Sequence, residues 1–260
     1  MKYVILSFDD GRKDFWLRAL PILQKHGLSA TLNIIPDFVG RSGIEGFYSG
    51  NGEFMSWSEI EDCAGMGIEI ANHSADHTNA IEQIFRGSAE IHDRLTMATV
   101  PGFASPNSEI SENNFEQYRD LLLSGAVKYI RSGNQLRRDG YGNIILWMLY
   151  KYTKSPIFFY LYNRRNILVT GKKQKPSVCL PSVTCNRDNT IQQLIHFIDK
   201  MPDNSGAILM FHSILNDNDP GFGKDKWFNT CCEFEQLCAF LSNNEQVQVV
   251  TNEQLCEMML

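Results

Sequence analysis

The sequence predicts an α/β fold of parallel strands alternating with helices, and three observations carry that prediction. Apolar runs of strand length recur along the 260 residues, amphipathic stretches stand between them, and polar clusters follow several of the runs. Lys2–Phe8 reads as a buried strand, broken by Asp9-Asp10-Gly11. Residues 14–25 place Phe15, Leu17, Leu20, Ile22 and Leu23 on a helical face, and residues 28–35 are again strand-like. Ser56-Trp57-Ser58-Glu59 is a capping box that opens a helix to about residue 64. Residues 67–71 form a short strand running into Asn72-His73-Ser74, and residues 79–95 read as helix. A strand over 100–104, a helix over 112–123 and a strand over 127–130 continue the alternation. A helix over 189–200, a buried strand over 207–211, a helix over 231–242 and a strand over 247–250 complete it. Such β/α units cross over right-handedly, and either a barrel or an open doubly wound sheet satisfies the pattern.

Composition narrows the class. Hydrophobic residues make up 43% and charged residues 21% of the chain, enough for a sizeable core and unlike a disordered, collagenous or disulfide-knot protein. The net charge of −6 argues against nucleic acid as a partner. Seven scattered cysteines without a CxxC pair predict free, mostly buried thiols. The apolar run at residues 3–8 is shorter than a signal-peptide core, which predicts a cytoplasmic protein, free or membrane-peripheral.

One stretch departs from the rest. Residues 134–176 hold nine Lys or Arg and one acid, Asp139, so they carry +8 while the remainder of the chain carries −14. Eight aromatics from Tyr141 to Tyr162 lie in the same stretch, interrupted by Lys151, Lys154 and Pro156. It is too broken to span a membrane, which takes about 20 apolar residues. Two expectations stand for this insertion: aromatics packed on the body of the fold with solvated charges, or a surface that meets anionic lipid or a phosphate-bearing substrate.

The candidate chemistry sits where parallel strands end. Asp9-Asp10, His73-Ser74-Ala75-Asp76-His77, Ser105-Pro106-Asn107 and His212-Ser213 each follow an apolar run. Two imidazoles and one carboxylate make a three-ligand site for a divalent metal with a position left for water. His73 and His77 share a face if their segment is a helical turn. Neighbouring aspartates in an extended segment point apart, which leaves the second as a base, and a histidine near neutrality suits protonation of a departing amine.

Ser7-Phe8-Asp9-Asp10-Gly11 resembles the TFDDG motif of the polysaccharide deacetylase family (NodB homology, carbohydrate esterase family 4). His73-Ser74-Ala75-Asp76-His77, led by residues 67–72, is similar to the family's H-[ST]-x-x-H motif, and Leu209-Met210-Phe211-His212 to its L-x-x-H motif. The resemblance implies a single-domain, distorted (β/α) barrel of about seven parallel strands over residues 1–260. It also implies removal of acetyl from an N-acetylated or O-acetylated carbohydrate by cleavage of a non-peptide C–N bond in the amide case. The substrate would be a cell-surface polysaccharide or its intracellular precursor. By the same resemblance Asp9 is the base, Asp10, His73 and His77 hold the metal, and His212 is the general acid. Zinc is the expected ion, and cobalt, nickel, manganese or iron also suit the set. The third motif, R-x-P-Y, survives only as Ala104-Ser105-Pro106-Asn107, so the arginine that would orient Asp9 is absent there. Arg131, at the end of the next strand, is the candidate replacement, and the backbone N–H of Asn107 the candidate oxyanion donor. Asp188 is a candidate partner for His212, and Tyr48, Trp57 and Trp147 are candidates to stack on a sugar. Two competing readings are a catalytically impaired binder of glycan or protein, and a metal-dependent hydrolase of a non-sugar amide.

Overall fold

Alternation along the first strand sets which residues meet the barrel axis. In β1 (Lys2–Phe8) the side chains of Val4, Leu6 and Phe8 join the apolar layer beneath the helices, while Ile5 joins a separate cluster inside the barrel. Ser7 and then Asp9 continue that inward row. The computed structural model describes residues 1–47, 52–95, 101–111, 114–133, 141–170 and 179–259.

The further strands are β2 (Thr31–Ile34), β3 (Glu69–Asn72), β4 (Phe103–Ala104), β5 (Ile130–Arg131), β6 (Leu168–Val169), β7 (Cys179–Leu180), β8 (Ser182–Thr184) and β9 (Ser205–Phe211). β10 (Ser213–Leu215), β11 (Phe228–Thr230) and β12 (Val247–Val249) follow. β1 pairs in parallel with β9 over its whole length, with β2 near its end and with β12 near its start. From β2 the parallel ladder continues through β3, β4 and β5 to β7. β8 then pairs in parallel with β9, which returns the path to β1. β7 and β8 are one strand position interrupted at Pro181, whose missing N–H cannot serve the ladder. The sheet is thus a nearly closed barrel, as the motif resemblance implied, and not the open sheet that the alternation also allowed. β6 runs antiparallel against the start of β9, and β10 and β11 form a separate two-stranded parallel sheet.

Helices form the outer layer where the caps dictate. α1 (Leu20–His26) follows a π-helical turn over Phe15–Ala19 and stops at Gly27, whose φ of 64° is left-handed. α2 (Trp57–Gly65) starts at the predicted box, with Ser56 N–H donating to Glu59 Oε2 at 2.8 Å. α3 (Ile81–Leu95) and α4 (Arg119–Leu123) cover β3 to β5. α7 (Ile191–Lys200) and α8 (Cys231–Asn243) carry further capping boxes at Thr190/Gln193 and Thr230/Glu233. Between α4 and α7 stand α5 (Tyr141–Thr153) and α6 (Pro156–Asn163), packed on each other and, through α6, on α7. Their aromatics are the glue: Tyr150 meets Phe159 edge-on at 5.3 Å, and Phe159 meets Phe197 of α7 at 6.2 Å. Residues 134–140 and 171–176 of the predicted insertion lie outside the described residues, as does Tyr48.

α9 (Asn252–Met259) closes the start of the barrel through polar contacts. Tyr129 Oη donates to Glu69 Oε1 at 2.6 Å, Thr31 Oγ1 donates to Glu69 Oε2 at 2.7 Å, and the Asn252 N–H donates to Thr31 Oγ1 at 3.0 Å. Burial pushes the Glu69 carboxyl up against these bonds. The predicted strand over 127–130 starts later, because Tyr129 and Arg131 are the inward-facing pair and only Ile130–Arg131 ladders with β4 and β7.

Candidate active site

Inward parity brings the polar ends of the strands to one rim. Asp9 after β1, Asn33 on β2, His73 after β3, Arg131 on β5 and His212 after β9 converge there, and all are buried except that His212 is half-buried. Of these, Asp9, His73 and His212 line a cavity of about 550 Å³ that also meets Trp147, Tyr150, Phe159 and Tyr162 of α5 and α6.

The two aspartates face different partners. Arg131 donates from one terminal nitrogen to both carboxylate oxygens of Asp9, at 2.7 and 2.6 Å, and Arg131 is 1% exposed. Asn33 Nδ2 donates to Asp9 Oδ1 at 2.9 Å. Asp10 is left-handed, φ 79°, rather than extended as expected, and this turns its carboxylate to Arg12, His73 and His77. Arg12 Nε donates to Asp10 Oδ2 at 2.8 Å. Burial opposes the charge on Asp10, yet the adjoining Arg12 guanidinium holds its carboxyl well below the usual carboxylate range.

Asp10, His73 and His77 form a set whose donor atoms lie within 4.8 Å of one another. The segment is not the helical turn that would put both rings on one helix face: after β3, Ser74 and His77 take left-handed φ of 67° and 66°, and that bend sets the two rings edge-on with centroids 5.0 Å apart. Left-handed non-glycine residues are strained, and such strain gathers at functional sites. His73 Nδ1 lies 2.8 Å from the Ala104 carbonyl, so it donates there and leaves the Nε2 lone pair towards Asp10 Oδ1, 3.5 Å away. His77 Nε2 lies 3.6 Å from the same oxygen. Burial and the neighbouring His73 push the His77 pKa down to about 4, so at neutral pH the ring is uncharged, as a ligand must be. The donor set fits a divalent ion.

His212 is flanked differently from expectation. Asp188 is engaged elsewhere, 2.7 Å from Lys226 Nζ and 3.4 Å from Lys151 Nζ. Among the described residues His212 Nδ1 is buried without a hydrogen-bond partner, and its ring lies 4.9 Å from that of Trp227. Ser213 pairs with Phe228, which seats the preceding residues of the two strands side by side. Burial lowers the His212 pKa against the opposing pull of Asp10 and Asp9. Asn107, with a left-handed φ of 53°, is exposed on the cavity. Trp147 lines the cavity as well, whereas Trp57 packs against the main core.

Asp14 fastens this half of the rim. Its carboxylate accepts the Ile214 N–H at 2.8 Å and the Ser213 hydroxyl at 3.3 Å, tying the turn after β1 to the segment after His212. Burial pushes its carboxyl from 3.8 up to about 6, against the nearby Arg12. A raised folded value means stability present below about pH 4 and lost as pH rises through 6, about 3 kcal/mol in all. Urea unfolding of Asp14→Asn at acid and neutral pH should show the parent losing stability relative to the variant across that window. Parallel pH curves would contradict this.

Arg12, Asn33 and Trp227 escaped the sequence reading. An asparagine inside the buried strand β2 was the available signal for Asn33; Trp227 has none, since its neighbour is 15 residues away in the chain.

Residues 1–123 match the family model described as polysaccharide deacetylase. YxkH of Bacillus subtilis (strain 168), named as a candidate polysaccharide deacetylase, is 30% identical over 76 residues, which are 29% of this chain and 24% of that protein. This chain thus spans about a quarter of that relative in the matched stretch. Among solved structures, the Xyl-CE4 domain of a multidomain xylanase from the hindgut metagenome of Trinervitermes trinervoides superposes with a TM-score of 0.51. It is 15% identical, with 98% of this chain and 90% of that one covered. The Bc1960 peptidoglycan N-acetylglucosamine deacetylase also gives a TM-score of 0.51, at 13% identity, with 97% and 87% covered. At such identities these two structures speak for the fold. The motif resemblance is thus met by a match of residues 1–123 to the polysaccharide deacetylase model, and the chain shares the barrel of those two structures.

Proposed function

We propose that this protein is a metal-dependent hydrolase that removes acetyl groups, N-acetyl foremost, from a surface polysaccharide or its precursor. The observation that carries the proposal is the Asp9–Arg131 pair standing beside Asp10, His73 and His77 at one rim of the cavity. A divalent ion on those three residues, zinc first among the candidates, would acidify a water and polarise the acetyl carbonyl. Asp9 then acts as base for that water. Its carboxylate is aimed by Arg131 and Asn33, so little reorganisation is needed when the proton arrives. Arg131 is the positioning residue here, doing from β5 what the missing arginine at Ala104 would do. The Asn107 N–H offers a donor for charge that grows on the carbonyl oxygen. His212 hands a proton to the departing amine. Its lowered pKa makes the charged ring a stronger acid, and Trp227 keeps its face covered. An impaired binder would have no need of an intact buried Asp9–Arg131 pair.

Metal analysis of the purified protein, with acetate release measured on a panel of N-acetylated saccharides, tests the reading. The parent should hold about one divalent ion per chain and release acetate, and His73→Ala should lose both. A metal-free parent that releases no acetate from any acetylated saccharide would refute it.

A further inference from the structure

We propose that the α5–α6 hairpin is a docking surface for an anionic lipid bilayer, so that the cavity serves glycan held at a membrane. The second clause rests on the deacetylase reading; the first does not.

The hairpin is two-sided. Trp147, Tyr150, Phe159 and Tyr162 face the cavity or the core. On the other side of α5, Ile144 is 51% exposed, Ile145 57%, Met148 46% and Tyr152 75%, and Ile157 of α6 is 61% exposed. At about 100° per residue the four α5 positions fall within about 100° of arc, a continuous apolar stripe with an aromatic at one end. Elsewhere among the described residues the exposed large hydrophobics stand singly, such as Leu17, Met66 and Leu123, apart from the pair Ile81 and Phe85 on α3.

Charge selects the occupant. Residues 141–170 carry Lys151, Lys154, Arg164 and Arg165, and no Asp or Glu stands between Asp139 and Asp188 in a chain of net charge −6. Lys154, Arg164 and Arg165 are exposed. An apolar stripe with a basic border suits anionic headgroups over an acyl layer, each cation near such a surface contributing about 1 kcal/mol. A second copy related by a two-fold axis would instead set two such cationic borders against each other. At 13 and 8 residues the helices are too short to span the hydrocarbon, so the hairpin lies on the bilayer.

Co-sedimentation with phosphatidylcholine vesicles, with and without phosphatidylglycerol, is the test. The parent should pellet with the phosphatidylglycerol vesicles at low salt and be released by high salt. Ile145→Asp/Ile157→Asp should weaken vesicle binding by at least about tenfold while acetate release from a soluble saccharide stays at the parent rate. Lys154→Glu/Arg164→Glu, which leaves the apolar stripe intact, should also bind more weakly. Failure of the parent to bind, or equal binding by all three proteins, overturns the proposal. So does a parent dimer in solution that the isoleucine variant dissociates without any vesicle binding. Vesicle binding without acetate release from any substrate would instead count against the deacetylase reading alone.

Discussion

Replacing Asp9 by asparagine is expected to lower acetate release by about a hundred- to ten-thousand-fold while the divalent ion stays bound. The amide is nearly isosteric and keeps one oxygen for Arg131, but it cannot accept a proton. Asp10, His73 and His77 make their contacts without Asp9, so metal content should not change. The variant leaves the Arg131 guanidinium buried opposite a neutral group, and stability should fall. The rate is therefore read at a temperature where circular dichroism shows the fold intact. The double variant Asp9→Asn/Arg131→Gln removes the stranded charge, and it should regain stability without regaining activity. Near-parental acetate release by Asp9→Asn would remove Asp9 from the role of base.

Arg131→Ala is expected to cost about 3–5 kcal/mol of stability and most of the deacetylation rate. The side chain is 1% exposed, and it gives both of its Asp9 hydrogen bonds from one terminal nitrogen. Its removal leaves an unpaired carboxylate and a cavity, and among the described residues the Asn33 amide is what remains to aim the Asp9 side chain. Arg131→Lys separates charge from shape: lysine supplies a point charge without the planar fork, so stability should recover further than kcat. Urea midpoints and steady-state kinetics on one saccharide read both. An alanine variant that turns over at the parental rate would show Arg131 to be only a structural counter-ion.

Parity made much of the rim legible before any coordinates. Ser7 and Asp9 alternate with Leu6 and Phe8, so a strand broken at Asp9-Asp10-Gly11 already points a carboxylate out of its end. The capping box at Ser56 and Glu59 starts α2 where local chemistry alone places it. The bend at His73 to His77 was not legible, because left-handed Ser74 and His77 break both the strand and the helix period. That bend is held by distant partners, including the Ala104 carbonyl on His73 and the Ile34 carbonyl on the His73 N–H. The same limit applies to β7 and β8, whose two- and three-residue stretches flank a proline and draw their identity from neighbours on either side. α5 and α6 were hidden by composition, since a run apolar on nearly every side carries no clear 3.6-residue period.

In the proposed mechanism Arg131 of β5 aims Asp9, so Ala104 at the end of β4 need carry no charge. Ala104 contributes a backbone carbonyl to His73, a service that any residue type can render. The loop from Ser105 to Ser108 borders the cavity, yet Asp9 is held by Arg131 and Asn33 without it. On the proposed function, that stretch can be reshaped to admit a different sugar while the Asp9–Arg131 pair stays unchanged. Substitutions confined to residues 105–108 should therefore shift substrate preference while leaving the Asp9–Arg131 contact in place.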